Sequence, residues 1–449
     1  MSQKKKLYIE TYGCQMNFSD SEIVGSLMLG SGYEMTNDPG GADVIFINTC
    51  SIREHAEQRV RRRLKELSVW KKKRPSLVIG VLGCMAERLR ESFMEEEPLI
   101  DMLIGPDAYR HIPELLQSVG SGQRAVDVLL SMEETYADIR PVRLASNRVS
   151  AFLSIMRGCG NFCAYCVVPF TRGTERSRDP ESIIREVTDL VEQGYREVTL
   201  LGQNVNSYTW KENDRILNFP RLLERVAEVD QHLRIRFATS HPKDLSDELI
   251  SLIASSRNVC RSIHLPVQSG SNPVLKRMNR KYTREWYMDR IRMIRKHIPD
   301  GSISTDIIAG FCGETEEDHQ QTLSLMKEAA FDFAFMFKYS ERPGTPAAEK
   351  FRDDVPEAVK SRRLNEIIQL QQNLSLQSNQ KDRGKIFEVL VEGRSRKSAH
   401  QLSGRNSQNK VIVFPALHFL PGNLVKVTVT GCTSATLMGE VVTEQESSG

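Results

Sequence analysis

The sequence predicts an α/β protein of three consecutive units. These are a parallel α/β sheet domain (residues 1–147), a partial (β/α)6 barrel (148–382) and a small antiparallel β domain (383–446). Three observations predict this. Strand-like and helical runs alternate through the first two units. In the first, three strand candidates each run into a cysteine. The last stretch switches to short β runs separated by Gly, Ser and Asn turns. A length of 449 residues, at roughly 150 per domain, also suits about three domains.

The elements follow in order. Residues 7–13, 43–49 and 77–83 read as near-continuous apolar strands, followed directly by Cys14, Cys50 and Cys84. Intervals of 36 and 34 residues between the cysteines suit strand–helix–strand units, with helices around 19–29 and 52–70. Such strands belong in a parallel sheet covered on both faces. Ligands of these sheets sit beyond the carboxyl ends of the strands, where all three cysteines fall. In the second unit, strands are expected at 151–156, 197–202, 234–239, 262–267, 302–308 and 333–339. Helices lie between them, for example at 182–193, 284–297 and 316–330. A repeated βα order requires parallel strands with helices outside. Six units are too few for an eight-fold barrel, so an open or partial barrel is expected. A polar helical connector spans 356–383. The third unit offers strands at 386–391, 411–414, 424–429 and 437–442, the pattern of a small antiparallel barrel or half-open sheet.

Lys and Arg total 61 against 58 Asp and Glu, a net charge of +3, with 40% hydrophobic and 27% charged residues. That is ordinary globular usage and excludes a disordered, collagen-like or disulfide-knotted chain. No apolar run approaches the roughly 18 residues of a membrane helix, and no apolar segment follows the N-terminal lysines. The expected setting is a reducing cytoplasm without membrane association, where nine cysteines point to metal or redox chemistry. Residues 53–74 hold ten Lys/Arg against three acids, and residues 380–410 hold eight against three. Either these patches meet one long anionic partner such as nucleic acid, or they are solvated faces.

Cys159, Cys163 and Cys166 form a Cys-x3-Cys-x2-Cys run directly after the first strand of the second unit. Thiolates this close wrap one small soft-metal centre. A structural zinc would need a fourth protein ligand, and none is nearby. An iron–sulfur cluster on three thiolates leaves one iron open. Cys14, Cys50 and Cys84 are far apart in sequence but equivalent in position, which favours a second open ligand set over three core thiols. Cys260, Cys312 and Cys432 lack matched partners and read as ordinary buried thiols. The nine histidines show no metal spacing, and His241 and His264 read as structural.

The Cys159 run resembles that of the radical S-adenosylmethionine superfamily, and nearly the whole chain is similar to the methylthiotransferase family within it. The resemblance rests on Thr11-Tyr12-Gly13-Cys14-Gln15-Met16-Asn17, Asn48-Thr49-Cys50-Ser51-Ile52-Arg53-Glu54 and Gly158-Cys159-Gly160-Asn161-Phe162-Cys163. Arg172-Gly173, Glu175-Arg176-Ser177-Arg178, Leu201-Gly202-Gln203-Asn204-Val205-Asn206 and Leu265-Pro266-Val267-Gln268-Ser269-Gly270-Ser271 add to it. The third unit looks like a TRAM domain, an RNA-binding β module, through Gly404-Arg405-Asn406-Ser407 and Pro421-Gly422. The residues after Cys14 and Cys50 resemble the branch that methylthiolates carbon 2 of isopentenyl-adenosine beside the tRNA anticodon. The branches acting on threonylcarbamoyl-adenosine or on a ribosomal-protein aspartate carry different residues after the first cysteine.

The resemblance implies two 4Fe-4S clusters, an auxiliary one on Cys14, Cys50 and Cys84 and the radical-forming one on Cys159, Cys163 and Cys166. One S-adenosylmethionine methylates a sulfur on the auxiliary cluster. A second is cleaved to the 5′-deoxyadenosyl radical that activates the adenine. A tRNA anticodon stem-loop, a flavodoxin- or ferredoxin-type reductant and a monomeric enzyme are implied. No side chain is assigned as acid or base. The candidate S-adenosylmethionine residues are Tyr165, Gly202, Gln203, Asn204, Ser240, Gln268 and Asp306. Many superfamily members hold the methionine amino group with an acid where Gln203 stands, and a Gln still offers an acceptor oxygen. Ser240, Gln268 and Asp306 are also suited to turns or caps. The substrate candidates are Gln15, Asn17 and Arg53, with Asn17 equally suited to cap a helix starting near Ser19. Phe387, Phe414 and Phe419 read as TRAM core, so the module is expected to contact phosphates rather than stack bases. A flipped-out loop base entering between the clusters supplies specificity. The rivals are a methylthiotransferase of another branch and a non-catalytic RNA-binding iron–sulfur protein.

Overall fold

In the computed structural model, which describes residues 4–50, 54–144, 148–212 and 215–442, the apolar strands of the first unit lie side by side. Strands β1 (Lys6–Tyr12), β2 (Glu34–Met35), β3 (Val44–Thr49), β4 (Val78–Leu82), β5 (Met102–Ile104) and β6 (Ala125–Asp127) form one parallel sheet in the order β2-β1-β3-β4-β5-β6. Every residue of β3 is buried. Phe46 faces a core shared with Leu7 and Met102, while Ile45 and Ile47 face a second core containing Val60 and Leu64. Both faces are therefore covered, as continuous apolar strands require. Strands β2, β5 and β6 escape the sequence reading because they are only two or three residues long. Helices α1 (Gln15–Gly30), α2 (Glu54–Lys73) and α3 (Cys84–Glu96) follow β1, β3 and β4. Cys14, Cys50 and Cys84 thus stand at the carboxyl ends of three adjacent strands.

The second unit is a parallel array of six strands in chain order: β7 (Ser150–Ser154), β8 (Glu197–Leu201), β9 (Arg234–Ala238), β10 (Ser262–His264), β11 (Ser302–Ala309) and β12 (Phe333–Lys338). Between β9 and β10 the ladder thins to a single Ile235–Val259 bridge, so the barrel is partial. Helices Pro180–Glu192, Phe219–Val229, Asp247–Ser255, Arg284–His297 and Glu316–Ala329 pack outside. Strand β10 is shorter than the run expected over 262–267 because Pro266 has no amide to give the ladder; the chain touches β11 again at a Gln268–Ile307 bridge, where Gln268 holds φ +74°.

The third unit, β13 (Ile386–Ser395), β14 (Ser398–Arg405), β15 (Val411–Pro415), β16 (Leu424–Cys432) and β17 (Leu437–Val441), closes into a barrel in the order β13-β14-β15-β17-β16. All its pairs are antiparallel except β15 with β17. Strand β14 was not anticipated; its sequence SAHQLSGR has almost no apolar signal. Phe414 is buried and Phe387 and Phe419 pack against the same core.

This small barrel is fastened to the amino ends of the large barrel's strands. Arg234 donates to the carbonyls of Arg405 (2.8 Å) and Glu388 (2.9 Å). Arg236 donates to the Asn406 carbonyl (2.7 Å) and to Glu197 Oε2 (2.8 Å), and the Ser302 hydroxyl donates to the Gln408 carbonyl (2.6 Å). The carboxyl ends stay clear for the first unit, whose α1 meets β7 through Phe18 and Phe152 (5.8 Å between rings). Among the described residues, no helix is long and apolar enough to cross a membrane.

Much of the first basic patch is spent internally. Arg61 pairs with Glu96 and Glu97, Arg63 with Glu10 and Glu66, and Lys71 with Asp101. In the second, Lys410 pairs with Asp382 and Arg405 with Glu392, while Arg396 and Lys397 stand exposed in the β13–β14 turn.

Replacing Arg236 by Ala strands the Glu197 carboxylate and opens the joint between the barrels. Losing one partner of a buried pair costs about 3–5 kcal/mol, so the melting temperature of the full chain should fall by several degrees. An unchanged melting curve would contradict this account of the joint.

Candidate functional site

The first cysteine set is built by the turns after β1, β3 and β4. Gly13 and Gly83 precede Cys14 and Cys84 with φ of +134° and +87°. A Cβ on Gly13 would lie 2.5 Å from the Cys50 Cβ, and one on Gly83 would strike Asn48 Oδ1. Only glycine lets these strand ends approach so closely. Asn17 ties them together. Its amide donates to Asn48 Oδ1 (3.1 Å) and the Thr49 carbonyl (3.2 Å), and its oxygen accepts from Cys14 Sγ (3.2 Å). Fully buried and inside α1, Asn17 does not cap a helix at Ser19; its amide nitrogen is taken, and its oxygen has the Cys14 thiol as donor only while that thiol is protonated. The helix begins at Gln15, which is exposed beside Cys14. Arg53, with Ser51 and Ile52, lies outside the described residues.

The second set follows β7. Cys159 and Cys163 are buried and Cys166 half-buried. Asn161 Nδ2 donates to Cys159 Sγ (3.6 Å), the Val168 amide to Cys166 Sγ (3.5 Å) and Arg280 Nη1 to Cys163 Sγ (3.2 Å). Tyr165 packs edge-on to Phe311 and its hydroxyl lies 3.5 Å from the same Arg280 nitrogen.

The short helix α4 (Val168–Arg172) leads from the second set to the first. Arg172 Nε donates to Cys84 Sγ (3.2 Å) and Nη2 to Asp20 Oδ2 (2.7 Å), while Nη1 has no partner among the described residues. Asp20 also takes Arg157 (2.9 Å), and Asp107 takes Arg176 (2.8 and 3.1 Å). All five side chains are buried. Burial pushes the Asp20 carboxyl up, and Arg157 and Arg172 more than reverse it. The same guanidinium acts on the thiols. Cys14 is lowered to about 6, first by its hydrogen bond with Cys50 and then, against burial, by Arg172. Loss of water around Cys166, and then the neighbouring Cys163, push its thiol up to about 12.

Beyond β8 and β9 lies a group of unsatisfied polar atoms. Gln203 Oε1, Asn206 Nδ2 and His241 Nε2 are buried without a hydrogen-bond partner among the described residues. His241 Nδ1 accepts from the Lys243 amide (3.3 Å), so Nε2 carries the proton. Burial, then Arg280 and Lys243, hold this imidazole neutral by pushing its pKa down to about 2. One acceptor and two donors, each costing about 1–3 kcal/mol if left dry, face one mouth and fit a polar zwitterionic ligand. Thr239 and Gln268 add left-handed backbone there, with φ of +71° and +74°. Gly202 leaves no room for a side chain, since its Cβ would meet Met156.

Asn204, by contrast, is used up inside the protein: its amide donates to Asp244 (2.7 Å) and its oxygen accepts from the His241 amide (2.9 Å). Ser240 donates to Asn206 Oδ1 (3.2 Å). Asp306 lies 3.4 Å from His264 Nε2, deeper in the barrel. The sequence reading missed Arg172, Arg280, Asn206 and His241 as site residues. Arg172 and Asn206 lay inside quoted motifs. Arg280, 117 residues after Cys163, gave no signal. Cys260 and Cys312 are buried as expected, but Cys432 is only half-buried, at the end of β16.

Among the described residues, only Glu316, His319 and Glu366 bring three ligand atoms within 4.8 Å of one another, and Arg362 and Arg363 already take their carboxylates. Neither cysteine set is drawn in that tightly. A structural zinc takes four protein ligands; each cysteine set offers three thiolates, which suits an iron–sulfur cluster with one open iron.

Three family models match in succession: Uncharacterized protein family UPF0004 over residues 6–105, the Radical SAM superfamily over 153–326 and the TRAM domain over 380–442. The chain is 57% identical to a tRNA-2-methylthio-N(6)-dimethylallyladenosine synthase of Amoebophilus asiaticus, covering 98% of this chain and 93% of the relative. The chain belongs to the tRNA-2-methylthio-N(6)-dimethylallyladenosine synthase family. A second synthase, from Phocaeicola vulgatus, is also 57% identical, over 98% of this chain and 97% of that one. In fold, the chain is similar to a radical S-adenosylmethionine methyltransferase of Kitasatospora setae, with a TM-score of 0.57, 13% identity, and 77% and 75% of the two chains covered. As a synthase of this family it is a radical SAM methylthiotransferase, and its superfamily brings a 4Fe-4S cluster and S-adenosylmethionine.

In metal-free protein at pH 7, Cys14 should be alkylated by iodoacetamide much faster than Cys166, because the thiolate reacts. Arg172→Met should slow Cys14 at pH 7 but not at pH 10, where the thiol ionises unaided. Mass mapping of labelled peptides reads both, and equal rates in the native protein would refute the ordering.

Proposed function

We propose that the protein transfers a methylthio group to carbon 2 of isopentenyl-adenosine beside the anticodon of tRNA. The observation that carries this is the presence of two three-cysteine sets joined by the short helix after Cys166, whose last residue Arg172 donates to Cys84, in a chain 57% identical to curated synthases. Cys159, Cys163 and Cys166 would hold the 4Fe-4S cluster, and Cys14, Cys50 and Cys84 a second, auxiliary one. When bound, these groups supply reductive cleavage of S-adenosylmethionine and the sulfur to be transferred.

The chain's own residues bind and orient. Arg280 and Arg172 place N–H donors on Cys163 and Cys84, which stabilises charge on sulfur and raises a cluster's potential. Gln203 Oε1 suits the ammonium of S-adenosylmethionine, and Asn206 Nδ2 and His241 Nε2–H suit its oxygens, with Tyr165, Gly202, Ser240 and Gln268 shaping the pocket. Gln15, exposed at the auxiliary set, is free to meet the base. The division into 1–147, 148–382 and 383–446 belongs to this reading, as do a flavodoxin- or ferredoxin-type reductant, a monomeric state and a cytoplasmic setting. The TRAM unit offers Arg396 and Lys397 to phosphates.

Cys163→Ala should abolish 5′-deoxyadenosine formation and remove about half the cluster iron expected of two clusters. Cys50→Ala should leave some cofactor cleavage and no methylthio nucleoside. Methylthio product from Cys50→Ala would defeat the auxiliary assignment.

Arg396→Ala with Lys397→Ala should weaken tRNA binding and lower the slope of log affinity against log salt by roughly 0.7–0.9 per lost contact. Titrations at several salt concentrations would decide; an unchanged slope would remove this turn from the interface.

A further inference from the structure

Among the described residues, four phenylalanines stand well exposed: Phe162 at 46%, Phe170 at 43%, Phe333 at 48% and Phe335 at 46%. The last two sit on barrel strand β12. The first two belong to the segment that carries the second cysteine set. Phe162 stands between Cys159 and Cys163, and Phe170 lies on α4 just after Cys166. Their rings meet edge to face at 6.4 Å, so they form one apolar surface. The backbone holds Phe162 there against its preference. Its φ is +47°, a left-handed conformation that a bulky residue seldom takes. Asn279, itself left-handed at φ +58°, donates from Nδ2 to the Phe162 carbonyl (2.8 Å). The Ala164 amide donates to the Met278 carbonyl (2.9 Å), so the loop is pinned on both sides of Cys163. A strained backbone that turns an aromatic ring toward water gains nothing for the fold, and such strain gathers at binding sites. The rim is basic. From Lys276 to Arg284 the chain carries five Lys and Arg and no acid. Arg277, Arg280 and Arg284 address neighbouring carbonyls and Cys163, while Lys276 and Lys281 stay exposed. Lys281 Nζ donates to Asn279 Oδ1 (2.6 Å), which sets its charge beside the turn that holds Phe162.

We propose that Phe162 and Phe170, with Lys276 and Lys281 at their edge, are the docking surface for an acidic electron carrier of the flavodoxin type. The inference rests on the reading of Cys159, Cys163 and Cys166 as ligands of the radical-forming cluster, and names the face at which its electron enters. Each reductive cleavage of S-adenosylmethionine consumes one electron at that cluster. The anionic hydroquinone of the carrier's flavin gives up the electron and becomes the neutral semiquinone, and the cluster passes from its 2+ to its 1+ state. A carrier seated on Phe162 is one residue, about 3.8 Å along the chain, from the ligand Cys163. An apolar, aromatic centre inside a polar rim is the usual anatomy of a protein interface, and a small one suits electron-transfer encounters, which bury less than roughly 1,200 Å². Exposed lysines steer an acidic partner and raise its rate of encounter. RNA is anionic as well, but a single strand is held by rings set out for successive bases, whereas these two rings pack on each other.

The test uses the cluster-loaded full chain and a bacterial flavodoxin. It reads flavodoxin affinity by titration, and 5′-deoxyadenosine formed with flavodoxin hydroquinone or with dithionite as the electron source. Phe170→Ala and Lys281→Glu both lie outside the cysteine run and leave the cluster loop intact. Each should lower flavodoxin affinity, and the flavodoxin-driven rate at subsaturating carrier, about tenfold, the scale of one lost anchor. The Lys281→Glu loss should shrink at high salt, and the Phe170→Ala loss should not. Dithionite, a small reductant that needs no docking face, should drive both variants at the native rate, with cluster iron and tRNA affinity unchanged. Unchanged flavodoxin affinity in Phe170→Ala, or no saturable binding to the native chain, would overturn the docking surface. A Lys281→Glu variant that binds as well as the native chain would overturn the acidic partner. A fall in tRNA affinity with flavodoxin affinity unchanged would give the surface to RNA instead, and an equal fall in the dithionite-driven rate would leave Phe170 a structural role only. Absence of 5′-deoxyadenosine from the native protein with dithionite would overturn the cluster reading itself, and is visible before any variant is made.

Discussion

The architecture depends on a buried charge cluster. Asp20, from the first turns of α1, and Asp107, just past β5, project from the N-terminal sheet into the mouth of the barrel. There they are met by Arg157, Arg172 and Arg176. Five charges at this depth survive only because each is paired, and any one of them left alone would be costly. Two packed domains could slide or tilt on apolar surface. Guanidinium–carboxylate pairs fix distance and angle together, and the cysteine sets ride on the same segments as the charges. Cys14 begins the helix that carries Asp20. Cys166 precedes the helix that ends in Arg172.

The fold was legible where burial imposes a pattern. Strands β1, β3 and β4 are apolar throughout because both faces are covered. The six barrel strands announced themselves through alternation with helices. Strands β2, β5 and β6 are too short to show a period, and β14 is polar because most of its length faces water. The places of Cys14, Cys50 and Cys84 at equivalent strand ends were legible because each follows an unbroken apolar run. Their supporting residues were not. Arg280 reaches Cys163 only through the closure of the barrel, and an arginine in sequence does not show whether it will be buried. Asn204 and Asn206 illustrate the same limit. Two identical residues sit in one loop; the fold consumes the amide of the first and leaves that of the second open.

The large barrel is used at both ends. Its carboxyl ends carry the strained and unsatisfied groups, among them Gln268, Gln203 and His241. Its amino ends carry the TRAM unit. The exposed Arg396 and Lys397 thus belong to the unit at the opposite end of the barrel from both cysteine sets.

The joint between the two barrels is made largely with main chain. Arg234 and Arg236 address the carbonyls of Glu388, Arg405 and Asn406, and Ser302 addresses that of Gln408. A carbonyl is the same whatever side chain its residue bears. The loops that are gripped are therefore at liberty to change their outward-facing residues from one lineage to the next while the grip persists. An appended module held in this fashion can be retuned toward different RNAs, or exchanged for another of the same backbone shape, without renegotiating its attachment to the catalytic body.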